Sequence, residues 1–445
     1  MNRAIGYGVL TRMWNVLAGP LTIFLIATRF SKVEQGYYYT FSSLLALQVF
    51  FELGLLTVLA QFAAHEFAFL SWGEKGEITG SESHRDRFVD LLGKGFKWYS
   101  VSAILMILAL IPAGLFFFTQ SPDSVGGFTW RLPWALAVIG IGCNLLLIPF
   151  YAVITGSGDV QSINHQEMIG GVTGAIIGWL VIAWGGGLYA IPAVTASTIV
   201  VGVVYLSRYK PRLVQTAFSA ISGTFGTQRP LQTIKWWGEV WPMQWKIALS
   251  WVSGYFIFQL FTPVLFKFHG PVVAGQMGMT LAVVNTVQGV CLMWLNTRSP
   301  EFGKLIALKN WRELDRSFNK ILKQAMVVCV ILSAIAVLAV TGIQSFTAIG
   351  IRFLPVRQVI ILLVAVCNNI VISGWAIYMR AHKQEPMLVL SIIGAILTGA
   401  STYFLGMKFS SMGMAIGYCF LTLLYGLPAT YVLLQRFKKH YQCDR

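Results

Sequence analysis

The chain has 445 residues, of which 56% are hydrophobic and only 11% charged, with 33 Lys and Arg against 17 Asp and Glu. A soluble chain of this length would form roughly two or three domains with polar surfaces, and this composition leaves too little polar surface to cover them. The net charge of +16 admits nucleic acid, an anionic membrane surface or an anionic substrate as a partner, and the placement of the basic residues decides among these.

Apolar stretches long enough for a helix to cross a bilayer recur about twelve times. In chain order they run approximately over 8–29, 37–69, 98–118, 132–155, 167–185 and 188–207, then 244–266, 272–297, 321–342, 357–379, 386–405 and 412–434. The expected fold is an all-α polytopic membrane protein. It divides into an N-terminal six-helix lobe over 1–207, a cytoplasmic linker over 208–243, and a C-terminal six-helix lobe with a tail over 244–445. The linker holds Pro211, Pro230 and Pro242 among basic residues. Its end places Trp236, Trp237, Trp241 and Trp245 beside Lys235 and Lys246, which predicts an interfacial helix, because indole rings favour the headgroup layer. In the gap 71–97, Phe88, Leu91 and Leu92 share one helical face with charge opposite, predicting an amphipathic helix lying on the surface. The gap 298–320, with Trp311, Leu314 and Phe318, reads the same way.

With the N-terminus in the cytoplasm, roughly 26 basic residues fall inside and about 7 outside, as the positive-inside rule requires. Lys75, Arg85, Arg87, Lys94, Arg208, Lys210, Arg212, Lys304, Arg312 and Lys438 are among the inner ones. The basic excess is therefore topology rather than nucleic-acid binding, and both termini are expected in the cytoplasm. Arg12 lies within the start of the first span and no small-residue cleavage site follows, so no cleavable leader is expected. Cys143, Cys291, Cys329, Cys367, Cys419 and Cys443 are scattered without a Cys-x-x-Cys pair. They read as small apolar residues, with no metal or disulfide framework. No Walker-type glycine loop and no His-Glu-x-x-His occurs, which argues against direct ATP hydrolysis.

The two halves repeat weakly. Cys143-Asn144 in span 4 matches Cys367-Asn368 in span 10, and the same spacing pairs Ala152 with Ala376, Ile169 with Ile393 and Gly170 with Gly394. Gly36, entering span 2, matches Gly275, entering span 8. Two similar six-span halves running the same way are the pattern of a secondary transporter.

The stretch EQGYYYTFSSLLALQVFFELGL, then QFAAHE, resembles the N-terminal pattern of bacterial polysaccharide transporters of the O-antigen flippase (Wzx) type. GQMGMTLAVVNTVQ and WLNTRSPEFGKLIALKNWRELDRSF are similar to that family's spans 8 and 9 and the loop between them. This family lies within the multidrug/oligosaccharidyl-lipid/polysaccharide exporter superfamily. The resemblance implies two lobes around a central cavity, in the bacterial inner membrane. It also implies translocation of a polyprenyl-diphosphate-linked oligosaccharide, with a polysaccharide polymerase and a chain-length regulator as further partners. No cofactor is implied beyond coupling to H⁺ or Na⁺.

Ionisable residues inside spans are the functional candidates, because charge is costly in hydrocarbon. Glu52, one turn after Gln48 in span 2, suits a coupling proton or ion, or else a structural pair with a nearby cation. Gln61, His65 and Glu66 close that span at the interface. Arg12, Arg298 and Arg380 suit the oxygens of a diphosphate, or else anchor span ends; Arg12 is the deepest. Arg29, Lys267 and Arg357 lie on the outer side against the charge bias and mark a release site or ordinary interfacial cations. Gln48, Asn144, Asn285, Gln288 and Asn368 punctuate apolar spans and either meet sugar hydroxyls or join helices. Two other functions stay open: a drug/cation antiporter of the same superfamily, and an integral-membrane polymerase or acyltransferase. The short outer gaps, none with a His constellation, disfavour the enzyme.

Overall fold

The computed structural model describes residues 3–120, 129–222, 233–382 and 386–441. Its helices in chain order are α1 (Arg3–Arg29), α2 (Lys32–Leu45), α3 (Val49–Glu52), α4 (Leu55–Phe67), α5 (Glu82–Thr119), α6 (Arg131–Leu145), α7 (Ile148–Gly156) and α8 (Val160–Ala183). They continue with α9 (Ala190–Tyr209), α10 (Pro211–Ser222), α11 (Trp241–Phe258), α12 (Phe261–Ala307), α13 (Trp311–Phe346), α14 (Val356–Arg380), α15 (Leu388–Leu421) and α16 (Leu427–Tyr441).

Among the described residues, eight helical stretches are long and apolar enough to cross a membrane, and a ninth is the pair Lys32–Glu52 and Leu55–Phe67, bent by 44°. Two of the eight are too long for one crossing. Trp236–Ile306 covers 71 residues, roughly 100 Å of helix against a hydrocarbon layer of about 30 Å. It turns at Gly270, whose φ of 81° an L side chain rarely adopts. Leu388–Lys439 covers 52 residues and turns at Ser410. The apolar pattern predicts about twelve spans; among the described residues eight helical stretches, or nine with the bent pair, meet that length and apolarity, and Leu17–Arg29 of α1 is a shorter apolar helix.

The chain forms two compact units. The first comprises Met1–Leu25, Leu44–Gln120 and Ser124–Val252. In it α8 lays Gly174 and Gly178 against Val194 of α9, since small residues let helix backbones approach in lipid. Gly114 of α5 lies under the Trp134 ring of α6, and the Trp134 indole N–H donates to the Leu110 carbonyl at 3.2 Å. The gap 71–97 differs from expectation. It forms an antiparallel hairpin, β1 (Leu70–Trp72) with β2 (Ile78–Gly80), in the register Leu70↔Gly80. The rest of the gap is the first turns of α5, continuous with a membrane span. Phe88, Leu91 and Leu92 are fully buried within the protein, so that apolar face serves packing rather than lipid.

The second unit comprises Ile26–Ser43, Ser121–Asp123 and Ser253–Arg445. Its core joins α12 to α15, and α2 packs on α12. The Tyr37 ring meets Phe266 edge-on at 4.9 Å. Gly36 sits against the Pro271 backbone, and Gly275 returns the contact to Gly36. In the gap 298–320, Leu314 and Phe318 of α13 are buried as well, for the same reason as in α5.

Candidate functional site

Span 2 does not pass through the first unit as one helix. A 3₁₀ turn, Ala46–Gln48, leads into the single turn α3, and the chain then breaks. Leu53 and Gly54 are both left-handed, with φ of 52° and 64°. Glycine takes that conformation freely, whereas leucine seldom does. The Leu53 N–H closes α3 on the Val49 carbonyl at 3.0 Å before the break. Glu52 is the last residue before it. Its side chain is 5% exposed, and among the described residues it makes no hydrogen bond or ion pair. A buried carboxylate without a cation is costly.

The neighbouring acid behaves oppositely. Glu66 is equally buried but receives Arg87 Nε at 2.8 Å and lies 2.7 Å from His84 Nδ1. Arg87 also bonds Glu239 at 2.9 Å. This is a structural network, not the solvated interface expected at the end of span 2.

The other candidates separate. The Arg12 side chain lies outside the described residues, although its backbone belongs to α1. Arg298 is exposed and bonds Glu301, three residues on, at 2.9 Å. Arg380 ends α14 and is exposed. Arg29, Lys267 and Arg357 are exposed at helix ends or turns, and Lys267 lies 5.5 Å from the Phe268 ring. Gln48, Asn144 and Gln288 are half-buried, and Asn285 is exposed. Asn368 donates to Thr422 Oγ1 at 3.2 Å, and its neighbour Asn369 donates to the Tyr418 hydroxyl at 2.7 Å. Both amides thus join α14 to the end of α15. The matched pair is not equivalent: the helix breaks just after Asn144, whereas α14 runs through Asn368.

Two features escaped the sequence reading. Gln35 is buried and donates through Nε2 to the carbonyls of Gly275 at 2.9 Å and Arg352 at 3.1 Å. Arg352 reaches back to the Phe30 carbonyl at 2.6 Å and to Gln35 Oε1 at 3.2 Å. This clasp fastens 26–43 to the second unit, and only the GQM motif around Gly275 hinted at it. The cysteines are also less scattered than their positions imply. The Cys329 and Cys367 sulfurs are 3.5 Å apart, joining α13 to α14.

No protein-family model and no curated protein matches the chain. Solved structures do. An inward-facing multidrug resistance MATE family transporter of the MOP superfamily aligns at TM-score 0.57 with 12% identity, covering 95% of this chain and 99% of that one. The lipid II flippase MurJ, in an inward closed conformation, aligns at TM-score 0.62 with 13% identity, covering 99% and 91%. A MOP superfamily transporter from Pyrococcus furiosus Vc1 (DSM3638), described as having a binding pocket of reversed polarity, aligns at 0.53 with 12% identity, covering 99% and 94%. The chain therefore has, over nearly its whole length, the fold that MATE and MurJ transporters of the MOP superfamily share.

Proposed function

We propose that the protein moves a polyprenyl-diphosphate-linked oligosaccharide, an O-antigen or other surface-polysaccharide unit, across the bacterial inner membrane by alternating access. The observation that carries this reading is the fold held in common with a lipid II flippase over 99% of this chain. The Wzx-like stretches support the polysaccharide branch. The charge bias supports cytoplasmic termini. Glu52 is the coupling group for H⁺ or Na⁺, supported by its burial with no cation paired to it among the described residues. Arg12, Arg298 and Arg380 are proposed for the diphosphate, with Arg12 first because Arg298 already holds Glu301. Gln48, Asn144, Asn285 and Gln288 remain candidates for sugar hydroxyls, and Arg29, Lys267 and Arg357 for release. A polymerase and a chain-length regulator are the expected partner proteins.

The test is reconstitution in vesicles with a fluorescent polyprenyl-diphosphate glycan added to one leaflet. Movement to the other leaflet is expected, and none with any glycan tried would overturn the reading. A drug/cation antiporter is the second reading, supported by the MATE likeness. It predicts drug resistance on overexpression and an acidic cavity, whereas basic residues in or near the spans match or outnumber acidic ones.

A further inference from the structure

We infer that the cleft between the hairpin, the first turns of α5 and the helix α10 binds the phosphate group of a small soluble ester, gripped by Arg85 and Arg212. The cleft holds about 460 Å³. It is lined by Glu77 of the hairpin, Arg85 of α5, and Arg212, Gln215, Thr216 and Ser219 of α10, all within the first unit. Small-molecule sites have volumes of this order. The inference depends neither on the transported substrate nor on Glu52.

The walls are fixed at both ends. A Cβ on Gly76 would stand 2.9 Å from the Lys210 Cα, and one on Gly93 would stand 3.1 Å from the Ala220 Cβ. Hairpin and α5 thus hold α10 in close contact. Lys210 is committed elsewhere, to Asp159 at 3.0 Å and to the face of the Trp72 ring. Inside the cleft the charges do not balance. Arg212 pairs with Glu77. The Arg85 Nε is buried with no hydrogen-bond partner, and no carboxylate among the described residues pairs with its guanidinium. A buried donor without an acceptor is costly, most of all on a charged group. The segment 223–232 that follows α10, GTFGTQRPLQ, contains no acidic residue, so it supplies no carboxylate to Arg85.

These groups select the ligand. Arg85, Arg212 and Glu77 together carry one net positive charge, so the cleft attracts an anion. Two guanidinium forks match the oxygens of a phosphate group, to which arginine donates in pairs. The Thr216 hydroxyl donates to the Arg212 carbonyl of its own helix at 2.8 Å, which leaves its oxygen to accept from a hydroxyl of the ester. Position separates a soluble ester from a lipid headgroup. The apolar run of α5 begins after Lys97, about 18 Å of helix beyond Arg85. The headgroup layer is only about 5–8 Å deep on each face. The cleft therefore opens beyond it, on the side that the charge bias assigns to the cytoplasm.

The experiment uses the purified full chain in phosphatidylcholine nanodiscs, with inorganic phosphate and glycerol 3-phosphate as probes. Binding is read by calorimetry, and by melting temperature against chloride at equal ionic strength. The expected result is saturable binding with a phosphate-specific rise in melting temperature. Arg85→Gln and Arg212→Gln should each weaken it by about tenfold or more. Glu77→Gln releases Arg212 and should tighten it. Arg316→Gln, which removes an exposed arginine of α13, should leave it unchanged. Melting curves without phosphate show that each variant is folded. Binding of neither probe by the wild type overturns the site, as does binding that survives both substitutions in the cleft. Nanodiscs containing phosphatidylglycerol decide the source of the phosphate group. Glycerol 3-phosphate should bind equally well in them, whereas its exclusion there would give the cleft to a lipid headgroup and overturn the soluble ligand.

Discussion

Two helical glycines make opposite predictions from one substitution. A Cβ on Gly36 would overlap the carbonyl group of Pro271. That neighbour is backbone, so no side chain can swing aside, and α2 must move off α12. Overpacking of this kind costs about 1–3 kcal/mol. The same movement stretches the Gln35 bond to the Gly275 carbonyl, worth about 1 kcal/mol. The helix-propensity gain of alanine, about 1 kcal/mol, offsets one of these. Gly36→Ala should therefore destabilise the protein by about 1–3 kcal/mol. A Cβ on Gly171 of α8 would meet nothing within 4 Å, and Gly171→Ala should stabilise by about 0.5–1 kcal/mol. Reversible unfolding in SDS–detergent mixtures, followed by tryptophan fluorescence, measures both. Equal shifts in the two variants would refute the close α2–α12 approach.

Glu52→Gln should slow glycan transport without lowering the amount of protein in the membrane; a transport rate that keeps the wild-type pH and Na⁺ dependence would remove Glu52 from coupling. Arg352→Ala should lose the bonds to Phe30 and Gln35, costing about 1.5–3 kcal/mol, and Arg352→Lys should not restore them, since a lysine lacks the forked donor; unfolding midpoints decide. Lys210 pairs with Asp159 at 3.0 Å and lies 4.0 Å from the Trp72 ring. Burial raises the Asp159 carboxyl, but the bonds from Ser162 and Lys210 outweigh it and hold the group below its ordinary value. A depressed carboxylate contributes stability at neutral pH and loses it as pH falls through the folded value. The deficit of Lys210→Met should accordingly be full at pH 7 and close in strong acid. A pH-independent deficit would assign the loss to the Trp72 contact instead.

The position of the candidate site was half legible. Glu52 stood out as a carboxylate in an apolar span, a signal that needs no partner to be read. Gln244 did not, because it lies within a tryptophan-rich stretch that reads as interface. Its burial shows only in the folded chain, where Ile247, three residues on, packs against Gly54, 193 residues earlier. Glu66 looked like a solvated terminal acid until Arg87 and His84 folded onto it. Phe88, Leu91 and Leu92 showed the correct helical face but the wrong neighbour, since amphipathic periodicity is the same whether the face meets lipid or protein.

By itself the sequence determined that the chain is helical and built from apolar runs of membrane-crossing length. In hydrocarbon every peptide group must be bonded within its own segment, so an apolar run of about twenty residues has essentially one conformation open to it. Tertiary structure alone decided where those helices break and which polar side chains are left unpaired. A lone carboxylate, a clasp such as Gln35–Arg352 and a glycine contact such as Gly36–Gly275 are set by residues brought together across the chain. No local pattern encodes the distance between them.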